Sequence, residues 1–258
     1  MSRLVVVTGA ASGIGASVRS LFEGRGDRVL GVDLKDVEVC ADLSTAEGRA
    51  AAVAGVLEAS GGVVDAVVTC AGLSGSSPAL PPVNFFGTTD LVAGLRPALA
   101  AAPAPRVVLV GSISATQPVD QALVDALLAG DAAEAARLTD AAIADGRPQQ
   151  LYPSSKSALT QWARSTAVTP GWADAGIALN VVAPGVVLTA MTAALVTDPR
   201  MKQVMDAAVP MPLHGYSAPE DVARVIGFLA SPEVTHVTGQ VLYVDGGAEA
   251  TLRPATAF

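Results

Sequence analysis

The sequence predicts an α/β protein, a Rossmann-type doubly wound parallel sheet folded as a single domain over 1–258, and three observations predict it. Short β-branched, continuously apolar runs alternate with helix-length alanine-rich segments, the pattern of strands buried on both faces and joined by helical crossovers. A glycine loop stands directly after the first of these runs. The 258 residues, 51% of them hydrophobic, contain neither a linker nor an internal repeat, and that length supports one large core.

RLVVVT (3–8) is the first strand, and Gly24 and Gly26 punctuate the end of the helix behind it. DRVLGVD (27–33), VEVCAD (37–42), VVDAVVTC (63–70), PRVVLVGS (105–112), GIALNVVAP (176–184) and GQVLYVDGG (239–247) supply the later strands. Pro219, Glu220 and Asp221 open the last helix, proline where its missing N–H removes nothing and the acids at the helix's positive end. QALVDALLAGDAAEAARLTDAAIADG (121–146) is rich in helix formers and broken at Gly130-Asp131, which predicts two short helices. Leu123, Leu127 and Leu128 lie at helical spacing, so one face of this segment is expected to pack.

Composition removes several function classes. The formal charge is −8 and the 16 Lys and Arg form no run, so the phosphate-neutralising surface of a nucleic-acid-binding protein is missing. Cys40 and Cys70 have neither CxxC spacing nor a histidine-rich neighbourhood, which argues against a metal site or a disulfide framework and for a reducing, cytoplasmic setting. The N-terminal apolar run, LVVV, is too short for a secretory core, and no uninterrupted apolar stretch of membrane-spanning length follows. No membrane partner is expected.

The first chemical motif is Gly9-Ala10-Ala11-Ser12-Gly13-Ile14-Gly15, set between a strand and a helix. A pyrophosphate laid on a helix N-terminus needs glycine, because a Cβ would block the close approach of the backbone. Three glycines alone also suit a tight turn, and it is their place at the start of a βαβ unit that points to a dinucleotide. Asp33 ends the second strand, 18 residues after Gly15. There a carboxylate, with Leu34 beside it, can accept from the adenosine ribose hydroxyls and repel a 2′-phosphate, so the expected cofactor is NAD rather than NADP. Lys35 close by is the one residue that softens this expectation, whereas Ser12 brings no charge.

The second motif is Tyr152 and Lys156 in LYPSSK. Residues four apart share a helix face, so the ammonium is expected to favour the phenolate and bring Tyr152 closer to acid/base work near neutral pH. Alone, the pair would more often be a solvated helix face. Ser112, at the carboxyl end of a strand where doubly wound folds bind ligands, makes a reacting end of it; Ser114 is a second candidate for the serine's place.

Together these residues resemble the short-chain dehydrogenase/reductase family over nearly the whole chain. The matching elements are Thr8-Gly9-xxx-Gly13-Ile14-Gly15, Asp42-Leu43, Asn84 in VNFFG, Ser112, Tyr152-xxx-Lys156, Asn180 in LNVVAPG, Pro184-Gly185 with Thr189, and the closing VDGG. The resemblance implies Tyr152 as general acid/base, Ser112 on the substrate oxygen, Lys156 on the nicotinamide ribose and Asn84 holding a water of a proton relay. It also implies Asp42 and Leu43 beside the adenine, and Gly185, Val187 and Thr189 at the nicotinamide. The family's Asn-Ala-Gly after the fourth strand is here Cys70-Ala71-Gly72, small enough for the ribose but without the asparagine contacts.

Forty positions separate Ser112 from Tyr152, far more than is usual in the family, so 113–150 is read as a helical insertion. It is expected to cover the face of the Tyr152 helix that many relatives use to form tetramers, leaving a homodimer. With ADLSTAEGR (41–49), CAGL (70–73), VNFFG (83–87) and RPATAF (253–258), the insertion narrows the resemblance to the bacterial 3α-hydroxysteroid dehydrogenase/carbonyl reductase branch. That branch interconverts secondary alcohols and ketones on hydrophobic, cyclic molecules with NAD. Dehydrogenases of cyclic terpene alcohols and of aryl allylic, coniferyl-type alcohols are the alternative, and a catalytically silent NAD-binding regulator is a distant one. The expected substrate loop, 186–218, carries Met191, Met201, Met205 and Met211; such adaptable side chains suit either a hydrophobic ring system or plain core filling. Met191 and Met205 are the expected substrate contacts. Arg200 and Lys202 read as solvated, which disfavours an acidic substrate.

Overall fold

A computed structural model describes residues 2–257, and at 194 and 195 the backbone only. Phe258 of the closing RPATAF lies outside the described residues, as does Met1. The strands are β1 (Leu4–Thr8), β2 (Arg28–Asp33), β3 (Val39–Cys40), β4 (Ala66–Thr69), β5 (Arg106–Val110), β6 (Ala178–Pro184) and β7 (Val241–Val244). They form one sheet in the order β3-β2-β1-β4-β5-β6-β7, and every pairing is parallel. Each falls inside the run that the sequence marked for it. β3 shrinks to two residues because it pairs with β2 only at Val32 and Asp33.

The order runs outward from β1 to β3 in one direction and from β4 to β7 in the other, so the connections change sides between β1 and β4. That reversal opens a crevice at the carboxyl ends of the strands. On one side of the sheet α1 (Gly13–Gly24) and α9 (Pro219–Leu229) close over Val5, Val7, Val108 and Val182. On the other, α2 (Ala46–Ser60), α3 (Gly87–Ala100) and α6 (Leu151–Thr166) cover Val6, Val67, Leu109 and Val181. The carbonyls that end α9 are held by Arg25 on Gly227 (3.1 Å), Arg3 on Ala230 (2.9 Å) and Arg106 on Ser231 and Pro232 (3.1 and 2.9 Å), cations at the helix's negative end. Pro219 does not open the last helix; a short α10 (Ala248–Leu252) follows, and Asp245 accepts from Gly247 and Glu249 N–H at its start.

The insertion is two helices, α4 (Gln121–Leu128) and α5 (Ala132–Ala144), broken at Gly130-Asp131 as the sequence predicts. Asp120 caps α4 through Leu123 N–H, and Asp131 caps α5 through Glu134 N–H. Leu123, Val124 and Leu127 are fully buried in one cluster with Leu151 and Leu159 of α6, each stabilising by roughly 1.5–3 kcal/mol. That outweighs the marginal helicity of an eight-residue segment. Leu128 does not belong to the packed face: it is 38% exposed, one position beyond the stripe that Leu123, Val124 and Leu127 form. Of α6 itself only Gln161, Arg164 and Ser165 remain exposed.

The two ends of the insertion meet. Arg147, just before α6, donates to Asp120 Oδ2 at 3.0 Å, and Ser154 Oγ in the first turn of α6 accepts from Asp120 N–H at 2.9 Å. The start of the Tyr152 helix is thereby tied to the start of α4. The substrate loop carries α7 (Ala193–Thr197) and α8 (Pro199–Ala208), the latter capped by Asp198 through Arg200 and Met201 N–H.

Candidate active site

At the carboxyl ends of the strands lies a cleft of about 450 Å³, within the range usual for small-molecule sites. Gly9, Ser12, Gly13, Ile14 and Gly15 form one wall. A Cβ on Gly9, which has φ +66°, would stand 2.8 Å from Ala71 N, and one on Gly15 would stand 2.1 Å from Gly9 O. The loop is therefore locked against β4 and against itself, with the N-terminus of α1 behind it. Thr8 Oγ1 secures the same junction by accepting from Ala71 N–H at 3.0 Å. Gly13, with φ +54°, would bring a Cβ to 3.4 Å from Thr189 Cγ2, so the loop also abuts the segment after β6.

Asp33 and Leu34 border one end of the cleft, together with Asp42 and Leu43. The Asp33 carboxylate accepts from Ala11 N–H at 3.1 Å and from Leu34 N–H at 2.7 Å, which fixes its place beside the glycine loop. Asp42 accepts from Ser44 N–H at 2.9 Å, and the Ser44 contacts hold its carboxyl below the usual range. Lys35 points away to solvent with Asp36 at 4.0 Å.

Ser112, Tyr152 and Lys156 border the other end. Ser112 follows β5 and caps the short turn Ile113–Thr116, its Oγ accepting from Ser114 N–H at 3.1 Å. Tyr152 lies near enough for this hydroxyl to favour its ionised form. Lys156 is buried, donates from Nζ to Val110 O at 2.9 Å and lies 5.9 Å from the Tyr152 ring centre. Cys70, Ala71, Gly72, Gly185, Val187, Thr189 and Met191 complete the walls. Apart from Lys156, no Lys or Arg lines the cleft among the described residues. Lys202 pairs instead with Asp206 at 2.7 Å, beside Tyr216, and Arg200 is exposed.

Three expected residues lie off the cleft. Ser114 gives its N–H to Ser112 and does not line the cleft, whereas Ser112 does. Met205, half-buried, packs against the cluster of Ile113, Val186, Val209 and Ala248 and does not line the cleft. Asn84 is buried behind the wall, where Oδ1 accepts from Leu73 N–H at 2.8 Å and Nδ2 donates to Leu73 O and Ser155 Oγ at 3.0 and 3.2 Å. It meets the site through Gly72, whose added Cβ would stand 3.3 Å from Asn84 Oδ1 and 3.7 Å from Lys156 Nζ.

The chain is 39% identical to the 3-alpha-hydroxysteroid dehydrogenase/carbonyl reductase of Comamonas testosteroni, over 97% of its own length and 98% of that protein's. It belongs to the short-chain dehydrogenase/reductase family. As such it is an alcohol/ketone oxidoreductase that works with a nicotinamide dinucleotide. The crystal structure of the 3-alpha-hydroxysteroid dehydrogenase from Pseudomonas sp. B-0831 complexed with NADH superposes with a TM-score of 0.90 at 42% identity, covering 99% of this chain and 100% of that one. Galactitol 2-dehydrogenase (L-tagatose-forming) of Cereibacter sphaeroides is 33% identical over 93% of this chain and 92% of its own. A family profile described as Enoyl-(Acyl carrier protein) reductase matches residues 138–249. Among the described residues no helix is long and apolar enough to cross a membrane.

Electrostatics of this short-chain dehydrogenase/reductase differ from the expectation at Tyr152. Burial raises its hydroxyl above the ordinary tyrosine value, against the influence of the Ser112 hydroxyl. Burial lowers Lys156 from 10.5 to about 8, opposed by the Cys70 thiol, and raises that thiol from 9.0 to about 12, opposed by Lys156. Between pH 8 and 10.5 the unfolded chain therefore holds a lysine proton that the folded one has lost, and stability rises with pH. Above pH 9 the unfolded thiol ionises while the folded one does not, which works the other way. Denaturant titration of the cofactor-free protein should show about 1 kcal/mol of added stability between about pH 7.5 and 9. Lys156→Met should flatten that rise.

Sequence reasoning missed two contributors, Val110 and Ser155, and the local shape around a third, Asn84. The Val110 carbonyl holds Lys156, and no sequence pattern distinguishes one strand carbonyl from another. Ser155 Oγ, between Tyr152 O and Asn84 Nδ2, was legible only as one serine of LYPSSK. Asn84 lies in a single wide helical turn, Pro82–Phe86, that runs into α3; such turns recur at functional sites, and the Pro81-Pro82 pair was its one local sign.

Proposed function

We propose that this protein oxidises a secondary alcohol to a ketone, reversibly, on a hydrophobic, cyclic substrate with NAD, in the manner of a 3α-hydroxysteroid dehydrogenase/carbonyl reductase. The observation that carries this reading is a single cleft with Ser112, Tyr152 and Lys156 at one end, Asp33 and Asp42 at the other, and the glycine loop as a wall between them. The cradle fits a dinucleotide: a Cβ at Gly9 or Gly15 would collide with neighbouring backbone of the chain itself, so glycine keeps the loop tight on the N-terminus of α1, where a pyrophosphate would lie. Ser12, Gly13 and Ile14 would hold the pyrophosphate, Asp33 the adenosine ribose, and Lys156 the second ribose. When bound, the nicotinamide supplies the hydride acceptor.

The chain's own residues then do four things. Ser112 fixes the substrate oxygen, Tyr152 takes its proton, and Lys156 keeps positive charge beside the phenol. Asn84 braces the wall behind Gly72 and Lys156. Leu73, Val83, Val187 and Met191 present apolar surface to the substrate, and the absence there of a second cation disfavours an acidic one. Residues 1–258 act as one domain, with 186–218 as the substrate loop. Turnover should be higher with androsterone than with a cyclic monoterpenol or a cinnamyl-type alcohol, measured as NADH formation under one set of conditions. A reversed order would assign the site to terpene or aryl allylic alcohols.

The reading extends to a homodimer in the cytoplasm. α4 occupies the apolar face of α6 that a tetramer would need, whereas the edge strand β7 and neighbouring α9 leave Leu242 and Phe228 40% and 55% exposed. Both cysteines are free thiols, as a reducing compartment keeps them. Sedimentation equilibrium should give twice the monomer mass; a tetramer joined through α6 would refute the arrangement.

A further inference from the structure

A second, open recess lies on the far side of the glycine loop, lined by Ala10, Ala11, Arg19, Asp36, Val37 and Glu38. It adjoins Asp33 through Ala11, whose N–H donates to the Asp33 carboxylate. A phosphate on the adenosine 2′-oxygen would enter beside Asp33 and face this recess. The recess contains a group suited to such a phosphate, the Arg19 guanidinium, since Arg matches phosphate oxygens with a two-pronged fork. That fork is already engaged. Arg19 Nη1 and Nη2 donate to Glu38 Oε2 and Oε1 at 3.0 and 2.6 Å, and Nε donates to Glu23 Oε1 at 2.8 Å. Glu38 is in turn anchored by Gly31 N–H of β2 at 2.8 Å, and Arg19 Nη1 stands 3.1 Å from where a Gly31 Cβ would be. The guanidinium is pinned against the strand.

We propose that Glu38 is a second determinant of cofactor choice, acting by withholding Arg19 from a 2′-phosphate. The inference rests on the reading that the cleft takes NAD. Asp33 supplies the repulsive element of the discrimination, and Glu38 removes the attractive one. It follows that loss of the Asp33 charge alone leaves a phosphate without a free cation to meet it.

The test is a set of binding titrations of NADH and NADPH, followed by nucleotide fluorescence, on the wild type, Asp33→Ser, Glu38→Gln, Asp33→Ser/Glu38→Gln, and that double variant with Arg19→Met added. Glu38→Gln keeps the length of the side chain and its acceptor for Gly31 N–H. Asp33→Ser should tighten NADPH by about tenfold, the double variant by about a further tenfold, one charge-assisted contact's worth. Arg19→Met should return the double variant to the level of Asp33→Ser; NADH affinity should stay within about threefold of the wild type in Glu38→Gln and fall to one common level in the three Asp33→Ser variants, which lose the ribose contact alike. Equal NADPH affinity in the single and double Asp33 variants overturns the inference, and so does a gain that survives Arg19→Met. A parallel loss of both nucleotides in Glu38→Gln overturns it too, since Glu38 then serves only the shape of the loop. A wild type that binds no NADH overturns the cofactor reading itself.

Discussion

Tyr152→Phe should lower alcohol oxidation by about 10²–10⁴-fold, the usual contribution of a positioned acid/base group, while NADH binds as to the wild type. The substitution removes one oxygen. The ring stays packed against the core it shares with α6, and Lys156 keeps its bond to Val110 O. What disappears is the hydroxyl that shares the cleft with Ser112, and with it the group that receives the substrate proton. Because burial holds that hydroxyl protonated in the cofactor-free protein, oxidation needs added positive charge to release it, and the wild-type rate should climb with pH on the alkaline side. Steady-state rates across pH, alongside fluorescence titration with NADH, check both points. Near-normal turnover in Tyr152→Phe would remove Tyr152 from the chemistry.

Gly15→Ala should abolish cofactor binding at ordinary concentrations, with NADH affinity down by at least about 100-fold, or about 2.7 kcal/mol. The added Cβ would stand 2.1 Å from Gly9 O and 3.2 Å from Ala10 N, and both are backbone atoms that no rotamer change can clear. The loop must open, and Gly9 cannot follow without leaving its 2.8 Å bond to Val32 O. Thermal unfolding should fall as well, since forced overpacking costs about 1–3 kcal/mol. Isothermal titration with NADH reads the first effect and calorimetry the second; an alanine variant with wild-type affinity would show that the cradle is not where the pyrophosphate lies.

Much of the fold was legible because its signals are local. Val5, Val6 and Val7 form a continuous apolar run, which only a strand covered on both faces explains, and Gly130-Asp131 carries both a stop and the cap of α5. The approximate location of the site was legible for the same reason, as Gly9, Asp33, Ser112 and Lys156 lie at strand ends or helix starts that the runs already marked. What escaped depends on distant neighbours. Leu128 has the spacing of a buried residue but not its direction, because the stripe on α4 is set by where α6 lies. The sign of the Tyr152 shift turned on desolvation, which no spacing reveals. Met205 reads like a pocket residue by type, and its type alone does not tell that it packs half-buried beside the cleft lining.

The Asp120–Arg147 closure has a consequence for how the molecule depends on its own concentration. In a bare fold of this kind the apolar side of α6 must find a second subunit, and protection of the helix that carries Tyr152 and Lys156 then weakens on dilution. Here the cover is part of the same chain, held at both ends and packed through Leu123, Val124 and Leu127. The effective concentration of the covering surface is fixed by covalent connection, so the reacting end of the cleft keeps its shape in dilute solution whether or not the subunits pair elsewhere.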